Sequence, residues 1–246
     1  FMALYDFTSY ENVMVCGDLH GHFEVIYSKI SVENTLFIVA GDCGFGFNRP
    51  AYYEELYSSK IRRYLTQKNN AIIFIRGNHD DPVYFDGLSF HKKRAVCAPD
   101  YSVIQTARHN ILCIGGAISI DRTRRLQEQN AGFLYWKEEA PVFYPQKIKE
   151  ITNSKIKIDT VISHTCPSFC PPQTKEGIQA WLSQDDDLHH DLEKERLVMD
   201  QVWETLKKQE HPIKQWWYGH YHRSAWLKQD NCYFRLLDIN EMDHLF

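Results

Sequence analysis

The 246-residue sequence is 43% hydrophobic and 14% aromatic, with a formal net charge of −4; one sizeable core in a single domain over 1–246 is expected. Acids and bases are mixed without a long basic block, so nucleic-acid binding lacks its electrostatic footprint. No apolar run approaches the roughly 20 residues of a membrane span, and the opening "FMALYDFTSYENVMV" lacks the cationic start and apolar length of a signal peptide.

Short apolar runs alternate with helix-like segments. "NVMVC" (12–16) reads as a strand and "GHFEVIYSKI" (21–30) as a helix, with Phe23, Ile26, Tyr27 and Ile30 on one face. "TLFIVA" (35–40) is a second strand. It is followed by a helix over 51–68 that aligns Tyr53, Leu56, Tyr57, Ile61, Tyr64 and Leu65. "AIIFI" (71–75) is a third buried strand, and 101–117 reads as a hairpin around His109-Asn110. Strands over 158–163 and 213–218 flank a helix over 191–208, whose stripe is Leu192, Met199, Val202, Trp203 and Leu206. A closing hairpin over 224–239 turns at Gln229-Asp230-Asn231. This order argues α/β with a mixed sheet. The irregular stretch 165–190 is long for a connection and reads as a lid or cap.

"HKKR" (91–94), the densest basic patch, reads as a solvated loop, with phosphate steering as the alternative. Seven cysteines, mostly inside apolar runs such as "VMVC" and "ILCI", imply buried reduced thiols and a cytoplasmic protein. Cys166 and Cys170 have no second pair to complete a zinc clip.

The carboxyl ends of the apolar runs carry the chemical signal. "VMVC" leads to "GDLHG" with Asp18 and His20, "LFIVA" to "GDCG" with Asp42, and "IIFIR" to "GNHD" with Asn78, His79 and Asp80. "DTVIS" ends in His164, and "QWWY" in "GHYH" with His220 and His222. Singly, a Gly-Asp pair is a turn and a lone histidine a satisfied residue. Five strand ends of this kind argue jointly for a metal site, since ligands bind beyond the carboxyl ends of strands in open α/β sheets. Asp81-Pro82 only ends a turn.

The motif set in this order, spanning residues 13 to 222, resembles the calcineurin-like metallophosphoesterases. The resemblance implies a four-layer α/β/β/α sandwich with two mixed β-sheets. It implies two metal ions, the first held by Asp18, His20 and His222, the second by Asn78, His164 and His220, with Asp42 bridging. His79 would face the substrate beside Asn78 and act as proton donor, Asp80 would orient its ring, and a metal-bridging hydroxide would attack the phosphate ester. Carboxylate, amide and imidazole ligands suit Mn²⁺ best among the candidates, with Fe or Zn²⁺ as alternatives. The substrate would be a small phosphate ester or a phosphorylated macromolecule; mono- or diesterase is left open, as is the oligomeric state.

The sequence departs from the Ser/Thr phosphatases of that superfamily. After the second motif it reads "GDCGFGFNRP", without their Asp-Arg-Gly extension and its phosphate-clamping arginine. Arg49 and Arg122 are candidate substitutes; Arg122 has a surface role or a pair with Asp121 as its alternative. The Asp185-Asp186-Asp187 run with His189-His190 reads as negative charge at a helix N-terminus, with a third metal site as the alternative. Trp181 either stacks on a substrate base or packs inward. Two other functions compete with the phosphoesterase: a catalytically silent scaffold binding a protein partner, and a nuclease.

Overall fold

The apolar runs become strands, and the amphipathic segments cover them. The computed structural model describes residues 2–28, 31–128, 134–175 and 177–246; Ile30, expected on the first helix, lies outside them. In chain order the elements are β1 (Leu4–Phe7), β2 (Asn12–Cys16), α1 (Glu24–Ser28), β3 (Thr35–Val39) and α2 (Pro50–Leu56). A π-helical turn, Tyr57–Ile61, joins α2 to α3 (Arg62–Lys68). Next come β4 (Ala71–Phe74), β5 (His91–Lys92), β6 (Ala95–Cys97), β7 (Ser102–Thr106), β8 (Asn110–Ile114), α4 (Arg122–Gln127) and α5 (Pro145–Asn153). The chain finishes with β9 (Thr160–Ser163), α6 (Gln179–Leu182), α7 (Leu188–Lys208), β10 (Gln215–Tyr218), β11 (Ala225–Gln229), β12 (Cys232–Leu236) and β13 (Met242–His244).

Two mixed sheets result, ordered β1-β7-β8-β9-β10-β12-β11 and β13-β2-β3-β4-β6-β5. Strands β2, β3, β4 and β6 run parallel, as do β8, β9, β10 and β12. Val13, Val15, Ile38 and Ile73 of one sheet meet Ile111 and Trp217 of the other. On the far face of the second sheet, Met14, Cys16, Phe37 and Phe74 pack with Phe23, Tyr53 and Leu65. On the far face of the first, Trp216 and Phe234 pack with Ile148, Ile151, Met199 and Trp203 of α5 and α7. This is the four-layer α/β/β/α sandwich. Both faces of β2 are covered, which is why the strand shows no polar alternation. Each fully buried large apolar side chain contributes about 1.5–3 kcal/mol.

Local differences from the expectations have local causes. "HKKR" is a tied hairpin rather than a free loop: Lys92 Nζ lies 2.7 Å from Glu54 Oε2, and Arg94 donates to Tyr10 Oη at 3.0 Å. Helix α7 begins at Leu188, three residues early, because Leu188 is itself buried and extends the apolar stripe. Asp191 then falls in the first turn, where the helix dipole favours it. Among the described residues no helix is long and apolar enough to cross a membrane.

Candidate metal centre

Because β2, β3 and β4 are adjacent and parallel, the loops carrying Asp18, Asp42 and Asn78 leave one edge of their sheet together. β9 and β10 deliver His164 and His220 from the other sheet in the same way. Donor atoms of Asp18, His20, Asp42 and His222 lie within 4.8 Å of one another, as do those of Asp42, His164 and His220. Asp42 belongs to both groups. Asn78 Oδ1 is 3.0 Å from His164 Nε2. His222 Nε2 is 3.1 Å from Asp18 Oδ2.

The backbone is held in a demanding shape to achieve this. His20, Asp42, His220 and His222 have φ of 48, 47, 71 and 50°, in the left-handed region that costs a side-chain-bearing residue about 1–3 kcal/mol. Hydrogen bonds hold the shape: the His20 N–H donates to the Asp42 carbonyl at 2.8 Å, the His220 N–H to Asp18 Oδ1 at 2.9 Å and the His79 N–H to Asp42 Oδ1 at 2.8 Å. Two glycines before the ligands are required by contact. A Cβ on Gly41, at φ 94°, would overlap the His164 ring, and one on Gly219 would overlap Asp18 Oδ1.

The donor set fits a cation. Among the described residues, His220 Nε2 is buried without a hydrogen-bond partner, and Asp18 Oδ2 makes no hydrogen bond although the His222 ring nitrogen stands 3.1 Å away, an arrangement costly unless a positive ion completes it. Nδ1 of His164 lies 2.7 Å from the Ala40 carbonyl and donates to it, so Nε2 faces the cluster. Burial disfavours charge on His164, yet the Asp42 and Asp18 carboxylates outweigh it and push the ring up to about 9. The cluster thus favours positive charge where the second ion is expected. Burial, with Lys175 and His164 nearby, drives His220 well below the usual histidine range, which keeps its nitrogen available as a ligand.

His79 and Asp80 divide differently from the expectation. Both Asp80 oxygens accept backbone N–H groups, from Cys43 and Gly77 (3.0 and 2.8 Å) and from Gly44 and Phe45 (2.7 and 2.9 Å). Asp80 therefore pins the loop after β3 to the loop after β4, and its acceptor positions are filled by backbone rather than by the His79 ring. Burial holds His79 down to about 4. Its Nε2 lies 3.9 Å from Asp42 Oδ2.

Of the two candidate arginines, Arg122 is engaged by carboxylates and Arg49 is absent from the cavity wall. Arg122 binds Asp185 through Nε (2.7 Å) and Asp191 through a terminal nitrogen (2.6 Å), while Asp121 pairs with Arg125 at 2.8 Å. Asp185 is thus a partner of Arg122 in front of α7. Arg49 is an exposed residue at the start of α2. A cavity of about 380 Å³ opens on the cluster, and its walls include Asn78, His79, Ser119, Arg125, Lys175 and His222. A larger one of about 610 Å³, with Ile178, Leu182 and Leu192 in its wall, shares Lys175 and Tyr221 with the first and meets the cluster at His220. The smaller cavity is the one whose wall contains His79. Trp181 is part of that wall. Ser119, Arg125, Lys175 and Tyr221 are additions that the motifs do not announce; Tyr221 stands inside "GHYH", and Ser119 comes after Gly115-Gly116 at the end of an apolar run.

A family model for calcineurin-like phosphoesterases matches residues 11–245, and the chain belongs to that family. No curated protein matches it in sequence. Among solved structures it is similar to GAP50, the anchor in the inner membrane complex of Plasmodium (12% identity, 92% of this chain, 71% of that chain, TM-score 0.44). It is similar to the phosphopantetheinyl hydrolase PptH of Mycobacterium tuberculosis (14% identity, 95% and 91%, TM-score 0.43). A cold-active protein-tyrosine phosphatase of a psychrophilic Shewanella species is a further likeness (12% identity, 98% and 76%, TM-score 0.40).

Proposed function

We propose that the protein is a dinuclear metal-dependent phosphoesterase. Asp18, His20 and His222 hold one ion, Asn78, His164 and His220 the other, and Asp42 serves both. The observation that carries this reading is the pair of donor groups sharing Asp42, with buried donor atoms on Asp18 and His220 that make no hydrogen bond. Divalent Mn, Fe or Zn bound there would acidify a water and neutralise charge on the phosphoryl group. Two carboxylates, Asp18 and Asp42, do not cancel that charge, so a phosphate ester anion is drawn in.

The chain's own groups do the rest. Lys175 lines the cavity beside His79 and would contact the ester oxygens, with Arg125, paired to Asp121, in the same wall. His79 is neutral by itself, since burial holds it to about 4; an anionic ester beside the ring favours its protonated form, from which it protonates the leaving alkoxide. Lys175 and Trp181 bring the described part of 165–190 to the cavity wall, and Asp185 is tied to Arg122, which supports reading that stretch as a cap. Seven reduced, buried thiols suit a cytoplasmic protein. The decisive experiment is hydrolysis of p-nitrophenyl phosphate and bis(p-nitrophenyl) phosphate by protein loaded with Mn²⁺, with metal content measured on the same sample. Turnover of either ester with two equivalents of metal supports the reading; absence of both turnover and metal rejects it.

A further inference from the structure

Behind Asn78, on the side away from its 3.0 Å contact with His164, lies a buried chain of hydrogen bonds. Asn78 Nδ2 donates to Ser119 Oγ at 2.8 Å, Ser119 Oγ donates to Glu139 Oε2 at 2.6 Å, and the Ser119 N–H donates to Glu139 Oε1 at 2.9 Å. All three residues are almost fully buried, with exposures of 2, 2 and 1%. Glu139 is fixed in turn: its carbonyl accepts from Arg76 at 2.9 Å and from the Ala117 N–H at 3.0 Å.

The donor–acceptor chemistry gives this chain a direction. Burial raises the Glu139 carboxyl to about 8, while the hydrogen bonds from Ser119 favour its ionised form; as a carboxylate it only accepts and takes the one proton the Ser119 hydroxyl has to give. The hydroxyl oxygen is then left as an acceptor, and the neighbour it selects is the NH₂ end of the Asn78 amide. Of the two ends of that amide, the oxygen is therefore turned toward His164 and Asp42, where a cation ligand must be an oxygen. The second amide hydrogen faces His79 Nε2 at 3.3 Å. Were the amide reversed, two acceptors would meet at Ser119 and an NH₂ group would face the cation.

We infer that Ser119 and Glu139 are positioning residues, which act through the Asn78 amide to fix its oxygen on the metal; the inference rests on the dinuclear reading above. An outer-shell partner of this kind is worth about 10–100-fold in metal affinity.

The test is titration of chelator-treated protein with Mn²⁺, following bound ions by electron paramagnetic resonance. Wild type binds two ions. Ser119→Ala, which removes the hydroxyl, weakens one of them by about 10–100-fold and spares the other. Glu139→Gln does the same at constant shape: with its NH₂ group toward Ser119 Oγ the hydroxyl proton loses its acceptor, and with the amide reversed two donors meet at the Ser119 N–H. Ser119→Thr, which keeps the hydroxyl, restores both sites. Folded Ser119→Ala and Glu139→Gln proteins that bind two ions with wild-type affinity overturn the inference and leave the metal reading intact. Equal loss of both ions in every variant, the threonine included, overturns it as general damage. A wild type that binds no metal overturns both readings. Should Ser119→Ala not fold, the isosteric Glu139→Gln decides alone.

Discussion

Asp42 Oδ1 lies 3.2 Å from His164 Nε2, although one residue follows a strand of the second sheet and the other a strand of the first. His164 and His79 outweigh burial and hold Asp42 well below the usual carboxylate range, so it is a full negative charge shared by both donor groups. Asp42→Asn keeps the shape and removes the charge. Metal content should fall below two equivalents, and aryl phosphate hydrolysis should fall by more than the about 10–100-fold cost of an outer-shell loss. Circular dichroism should be unchanged. Wild-type turnover in this variant would place the reaction elsewhere.

Of the cations near the cavity, Arg125 is paired with Asp121 and Arg122 with Asp185 and Asp191, whereas Lys175 stands in the wall beside His79. Lys175→Met should raise KM for aryl phosphate about tenfold or more, the effect of one lost charge-assisted hydrogen bond. Lys175→Arg should recover most of it. Arg122→Met should leave KM unchanged, because its guanidinium is occupied by Asp185 and Asp191. The three Michaelis constants, measured side by side, check the assignment.

His211 is a pH-sensitive contact remote from the cluster. Its Nδ1 accepts the Ile158 N–H at 3.1 Å, so the folded ring must be neutral there. Burial, with Lys157 nearby, lowers its pKa below 6.5. The unfolded chain then binds the extra proton first, so the contribution is intact above pH 6.5 and is lost as pH falls through the folded value. In chelator-treated protein, urea unfolding should show less acid destabilisation for His211→Gln than for wild type. Identical slopes below pH 6.5 would remove His211 from the account.

Gly41→Ala combines a φ of 94° with a Cβ directed into the His164 ring. Backbone strain alone costs about 1–3 kcal/mol, and the overlap adds to it. A clearly lowered melting temperature is expected even without metal, together with weaker binding of the ion held by His164. A melting point equal to wild type would show that the loops have more room than the packing implies.

The five strand ends of the donor cluster are legible in the sequence because each apolar run is followed by a side chain able to bind a metal, in four of them directly after a glycine. Burial of both strand faces keeps those runs unbroken, as in β2 and β3. Short edge elements escape notice: β1, β5 and β13 have two to four residues and exposed or half-buried positions, so they carry no apolar signature. Ser119 is hidden because 101–117 reads as a complete hairpin. The carboxyl end of β8 in fact lies beside that of β9, making "GGAIS" a sixth strand end. Asp80 misleads for another reason. Adjacency to His79 in sequence does not direct its carboxylate, and four backbone N–H groups bind it instead.

The division of the donors between two sheets has a mechanical consequence. Asp18, Asp42 and Asn78 stand on one half of the sandwich, His164 and His220 on the other, so an ion bound among them is a cross-link that the covalent chain does not provide. Its withdrawal would ease the halves apart along their shared apolar layer, and resistance to proteases would then track metal supply as closely as it tracks sequence.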